Sequence, residues 1–505
     1  MAVSPQPMDT TATESARSVE RSYELRVNKE QNDRAVELKL LSFQRPHMRS
    51  FHAAWISFLT AFFMWFAVSP LLSVVQASLG ISRQDIWLST ICSDVSTVVA
   101  RFIVGASCDH FGARLPMATV LVLAAIPTSL LGTVYSLTGL CLTRFGIGIA
   151  GSSFVMAQYW MGQFFVKEKI GTANAIVAGW GNFGGGLAQI VMGAGLYPLM
   201  MNILNNTDEN AWRYIFVVPA VAAVLVAWWI ATQTNDAPQG YLKDMVCLGT
   251  VDLTAPTRVT GTMSRNVWLL ALAYACSFGV EILLNNAGSL YFLDEFGLGV
   301  SSAAGAASTL GLTNLFARAV GGILSDYANK NHHGMQGRLI LCVVTMMWQG
   351  IATLCWAYGS HTLPSAIGWL AATSLGIHLT EGAIFGIVPY INPAVSGQMA
   401  GLVGLGGNLG GIVFGFCFRH FSYQTTFSIM GFAALISATV YGGVFISGQS
   451  TLWTRETSLE AMNERVATED IPGDATPESS GANDSDTSPP LTTTHGSTLP
   501  TILEV

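Results

Sequence analysis

The chain has 505 residues, 51% hydrophobic and only 11% charged, against roughly a quarter charged in an ordinary globular protein. Its mean hydropathy is +0.45, and it holds 51 glycines, a residue commoner in membrane helices than in soluble ones. This excludes a cytosolic enzyme and a secreted disulfide scaffold, and a net charge of −7 offers no basic field to nucleic acid.

Residues 1–50 mix charges of both signs without a long apolar run. They read as a cytoplasmic tail with no signal peptide. Apolar runs then fall near 52–76, 86–108, 115–135, 140–163, 171–199, 213–232, 266–293, 303–325, 338–358, 362–388, 398–418 and 424–447. A crossing needs about 20 apolar residues, and helix is the open-ended structure that satisfies its backbone in lipid. The pattern predicts an all-α membrane protein with twelve spans. The longest polar connection, 233–265, divides them into six-helix bundles over 51–232 and 266–447. Residues 448–505 read as a cytoplasmic tail, rich in Ser, Thr, Pro, Asp and Glu from about 455 and too polar to bury a core.

Both tails must face one side. If that side is cytoplasmic, the inner loops hold Arg114, Lys167, Lys169, Lys243, Arg258, Arg265, Lys330 and Arg338, and the outer loops only Arg83, Arg213 and Arg419. That bias supports both ends inside. The sequon Asn205-Asn206-Thr207 then lies outside. The eight cysteines form no CxxC, so they read as small packing residues, with no metal site and no cofactor.

The halves repeat each other. Span two carries Ala100-Arg101-Phe102-Ile103-Val104-Gly105 and, beyond it, Asp109; span eight carries Ala317-Arg318-Ala319-Val320-Gly321-Gly322 and Asp326. In each half Arg precedes Asp by eight residues, about 12 Å of helix. The acids therefore sit at the inner membrane edge and the arginines well inside. Span five holds Gly179-Trp180-Gly181-Asn182-Phe183-Gly184-Gly185-Gly186, and span eleven holds Gly404-Leu405-Gly406-Gly407-Asn408-Leu409-Gly410-Gly411. A duplicated six-helix unit explains both pairs.

An arginine deep in a span costs roughly 2.5–3.5 kcal/mol and faces a cavity or a partner. Two at equivalent places point to one central site, where repeat-built transporters bind substrate. Two permanently charged planar forks suit a small planar oxyanion. The alternative is that carboxylates neutralise them: Asp94 lies seven residues before Arg101 on the same face, and Glu281 lies in span seven. The glycines permit close helix packing, while Asn182 and Asn408 offer amides to line the cavity.

With these residues in view, the chain resembles the nitrate/nitrite porter family of the major facilitator superfamily, in its eukaryotic form. The superfamily motif is Gly105-x-x-x-Asp109-His110-x-Gly112-x-Arg114, with a weaker echo at Gly322-x-x-x-Asp326. The resemblance covers about residues 45–450. It implies the major facilitator fold, transport of nitrate and nitrite, proton coupling and a gating role for the motif residues. It also implies that Arg101 and Arg318 hold the substrate, with Asn182 and Asn408 from the two nitrate motifs. Tyr274 and Phe278 resemble residues flanking the substrate in bacterial members; Phe62 and Phe154 resemble aromatics beside it. Ala319, Asp94, His378 and Glu381 depart from the family pattern.

Uptake of an anion against a negative interior needs a driving cation, a proton or Na+. The ionisable intramembrane residues are Glu281, Asp94, His378 and Glu381, with Glu281 first because it lies two turns beyond Tyr274. The reading is inward nitrate transport across the plasma membrane. The alternatives are nitrate/nitrite exchange, which needs no protonatable cavity residue, and a nitrate sensor signalling through the tail. The partners are then nitrate, nitrite, protons and the lipid bilayer; the sequence assigns no accessory subunit. No nucleophile–base pair or phosphate loop points to an enzyme.

Overall fold

The computed structural model describes residues 23–204, 208–247, 264–392, 396–446 and 448–454. The sequon, residues 1–22 and most of the C-terminal tail lie outside these residues. Among the described residues, eleven helical segments are long and apolar enough to cross a membrane. The 32-residue helix Val300–Asn331 stands at the position expected of span eight. Its small and polar face and Arg318 make it less apolar than the others. The end that carries the segment before span one and the connection after span six is called inner here, the opposite end outer.

The surface is apolar and the interior holds the charge, as in a protein dissolved in lipid. Phe102, Ile103, Trp228 and Ile436 are exposed, whereas Asp94, Arg101, Asn182, Glu281, Arg318 and Glu381 are buried.

Glycine sets how close the helices come. A Cβ at Gly184 of span five would lie 2.4 Å from the carbonyl oxygen of Leu59 in span one, and one at Gly410 of span eleven 2.1 Å from that of Ala275 in span seven. These two contacts are repeat-equivalent. Spans five and eight touch across the halves, backbone to backbone, at Gly186 and Gly311. The close-packing reading of the glycine runs therefore holds at these positions.

Two helices depart from regular winding. Span five passes into a π-helical stretch, Gln189–Leu196. Span four is interrupted by a 3₁₀ turn, Ile149–Ser152. There Gly148 and Gly151 bring span four against Ser93 and Thr97 of span two.

The inner end is finished by segments outside the spans. Residues 23–46 fold back: Val27–Asn28 pairs with Arg34–Ala35, and the Val166 amide donates to the Ala35 carbonyl at 3.1 Å. The starts of spans three and nine have no side-chain cap of their own. Each is capped by the segment trailing the last span of its half. Asp236 Oδ1 accepts from the Arg114 amide at 3.2 Å, and Ser450 Oγ accepts from the Gln336 amide at 2.9 Å.

Gly410→Ala tests the packing account. The added methyl meets backbone, which cannot swing aside, and overpacking costs about 1–3 kcal/mol. A lower thermal midpoint in detergent is expected, and an unchanged midpoint would remove the steric argument.

Candidate functional site

Arg101 is held by neutral acceptors. One guanidinium nitrogen donates to the Gly404 carbonyl, and another to the Gly151 carbonyl at 3.2 Å. The 3₁₀ turn in span four presents the second carbonyl to the fork. With its oxygen turned to the fork, the Asn408 amide accepts from Nε at 3.0 Å and from Nη1 at 2.9 Å. No carboxylate oxygen of the described residues lies within 4 Å of this guanidinium. Asp94 is buried in the same helix, but among the described residues it makes no ion pair and its Oδ2 has no hydrogen-bond partner. The sequence alternative of an Asp94–Arg101 pair is not realised here.

Arg318 is surrounded differently. It forms ion pairs with Glu281 at 3.2 Å and, more closely, with Glu381. Asn314 donates to Glu281 Oε1 at 2.7 Å, and His378 Nε2 lies 3.6 Å from the same oxygen. His378 Nδ1 is 3.1 Å from the Thr313 hydroxyl. Three of the four residues named for proton coupling thus gather on Arg318, while Asp94 stands apart. The ligand atoms of Glu281, His378 and Glu381 lie within 4.8 Å of one another. The guanidinium bonded to both carboxylates occupies the place a cation would take.

Phe278 joins the two arginines. Its ring centroid lies 5.8 Å from the guanidinium carbon of Arg101 and 5.8 Å from that of Arg318. Tyr274 stacks on Phe278 at 5.1 Å. Phe154 contacts Arg101 at 5.5 Å, and Phe385 stands edge-on to both Tyr274 and Phe154 at 5.3 Å. Phe62 makes ring contacts with Phe58, Trp65 and Phe66. Phe58, against Gly181, stands between Phe62 and Phe154.

Several polar atoms here have no hydrogen-bond partner among the described residues: Nε and Nη1 of Arg318 and both amide atoms of Asn182. Buried donors in that state cost free energy and can be satisfied by an oxyanion. Asn408 lies beside Arg101 and turns its amide oxygen to the guanidinium. Asn182 retains a free amide, one turn on from Gly179, which packs against Asn314.

The motif residues serve the inner end. Gly112 has φ +75°, and a Cβ there would strike Asp236. Arg114 pairs with Asp236 at 3.7 Å and covers the Tyr241 ring at 4.4 Å. Burial pushes the Asp236 carboxyl above its usual range, offset in part by Arg114 and by the amides of Leu242 and Arg114. Asp109 is half-buried, and nothing would lie within 4 Å of a Cβ at Gly105. Asp326 pairs with Arg338 at 2.8 Å.

Sequence reasoning missed Asn314, Phe385, Phe58, Asp236 and Arg144. Arg144, a buried arginine in span four, is like Arg101 a charge within an apolar run, but it has no counterpart in the other repeat. Phe385 and Phe58 carry none among so many aromatics.

Residues 54–415 match the sequence profile of the Major Facilitator Superfamily. "High affinity nitrate transporter 2.5" of Arabidopsis thaliana is 32% identical over 84% of this chain and 86% of its own. The chain belongs to the nitrate/nitrite porter family of that superfamily. Another member, "High-affinity nitrate transporter 2.3" of Oryza sativa subsp. japonica, is 32% identical over 79% of this chain and 78% of its own. A solved bacterial homologue of the human lysosomal transporter Spinster shares the fold, with a TM-score of 0.58 and 16% identity over 79% of this chain and 97% of its own. This porter is a multi-pass membrane transporter.

In this porter, Arg114→Ala strands the buried Asp236 carboxylate, a loss of about 3 kcal/mol for a broken buried pair. Thermal unfolding in detergent should fall well below that of the double variant Arg114→Ala/Asp236→Asn, which removes the charge with its partner. Equal midpoints would show that the pair is not what secures this cap.

Proposed function

We propose that the chain carries nitrate, and nitrite with it, inward across the plasma membrane by alternating access, coupled to proton entry, with both termini cytoplasmic. The relatives named as nitrate transporters support the substrate. The observation that carries the mechanism is the unneutralised Arg101 fork, fixed by carbonyl and amide oxygens and facing Arg318 across Phe278. Neutral acceptors orient a guanidinium without cancelling its charge, so its field remains available to an anion.

The charges around the site give the coupling. Arg101 and Arg318 contribute two positive charges, and Glu281 and Glu381, when ionised, two negative ones. An anion entering that balance leaves an excess negative charge in a low-dielectric site. One proton taken up by the carboxylates on Arg318 removes it. Two acids on one guanidinium titrate as a unit, with His378 and Asn314 as the neighbours that place the proton. Anion and proton then favour each other's binding reciprocally. The ionisable groups gathered on Arg318 favour symport over exchange, which needs no such group.

Uptake of labelled nitrate in a host lacking its own uptake, at varied external pH and Na+, tests this. Apparent affinity should weaken as pH rises and be indifferent to Na+. Glu281→Gln and Glu381→Gln, which mimic the protonated acids, should each flatten the pH dependence. Wild-type pH dependence in both would place the proton elsewhere, and dependence on Na+ alone would overturn proton coupling.

The planar forks give a second test. Arg101→Lys and Arg318→Lys keep the charge but lose the fork, and each should cut nitrate transport at least about tenfold, the loss of one good charged hydrogen bond. Full-rate uptake by either well-expressed variant would remove that arginine from the substrate site.

A further inference from the structure

A third buried arginine, Arg144 of span four, lies outside the site just described. Its side chain is enclosed, and Nη2 donates to the Thr90 hydroxyl at 3.2 Å and to the Asn286 amide oxygen at 3.1 Å. The Ser69 hydroxyl donates to the same Asn286 oxygen at 2.9 Å. Thr90, Ser69 and Arg144 belong to the first half and Asn286 to the second. One amide oxygen thus ties spans one and four to span seven.

This tie is on the outer side of the substrate arginines. Around it the halves meet through Trp87 stacked on Phe418 at 4.7 Å, the Arg83–Asp294 ion pair and Ile91 against Gly415. Arg144 also has two nitrogens, Nε and Nη1, buried without a hydrogen-bond partner among the described residues. Asp94, in the neighbouring helix of the same half, has a buried carboxylate oxygen in the same condition. Asp94 lies one helical turn from Thr90, whose hydroxyl Arg144 already holds.

Alternating access moves the halves against each other and leaves each half intact. A bond from Arg144 to Asn286 can exist only while the outer end is shut. A pair between Arg144 and Asp94 lies within one half and survives opening. We propose that Arg144 is the positioning residue of the outer gate: it holds the gate shut through Asn286 and transfers to Asp94 when the gate opens. The transfer leaves no bare guanidinium in either state, which a charge at this depth requires. The inference rests on alternating access and not on the identity of the substrate.

The experiment reads the gate without substrate. Ile91→Cys in the full chain reports opening by its labelling rate with a membrane-impermeant thiol reagent from outside, measured above the protein that keeps Ile91. Asn286→Ala should raise that rate about tenfold, the effect of one hydrogen bond to a charged group. Asn286→Asp, which turns the tie into an ion pair, should lower it. Asp94→Asn, which removes the partner of the open state, should lower it too. General damage to packing would move both Asn286 variants the same way, and that result, or an unchanged rate in Asp94→Asn, would overturn the proposal. Nitrate is absent throughout, so a wrong substrate assignment leaves this outcome untouched.

Discussion

A guanidinium keeps its proton in any protein and cannot be left bare in hydrocarbon. Among the described residues, three lie buried away from the ends of the spans, Arg101, Arg144 and Arg318. Each is settled by a different chemistry. Arg101 takes carbonyl and amide oxygens, Arg318 takes two carboxylates, and Arg144 takes a hydroxyl and an amide from opposite halves. The first solution leaves a charge free to act, the second makes it adjustable by protons, and the third makes it depend on conformation.

These solutions need backbone at close range, and glycine supplies it. The Gly404 carbonyl can face Arg101 because a Cβ there would already lie 3.0 Å from the guanidinium. Gly407 leaves room for Phe278, the ring shared by both arginines. The glycine–asparagine runs therefore serve packing and site together, since helices held further apart would carry their carbonyls out of reach of the forks.

The helical fold was legible from apolar run length, and the central pair of arginines from charge in the wrong solvent. Span eight shows the limit of hydropathy: Val300–Asn331 is helical, yet its small and polar face weakens the signal. What the sequence hid was partnership. Glu281 and Glu381 are a hundred residues apart in the chain, and only the crossing of spans seven, eight and ten brings both to Arg318. Spacing placed Asp94 on the face of Arg101, but span eleven supplied Asn408 and Gly404 as nearer partners. Arg144 could have been read by the rule that found Arg101, but it lacks the repeat counterpart that drew attention to the other two.

The capping of spans three and nine bears on where each half ends. Asp236 trails span six and Ser450 trails span twelve, and each closes the start of the third helix of its own half. The two caps share no residue type and keep only their position and their acceptor oxygen. Each half therefore extends past its sixth helix, into the opening of the connector in the first half and into the root of the C-terminal tail in the second. A cut made at the end of span six would leave the third helix of the first half without its cap.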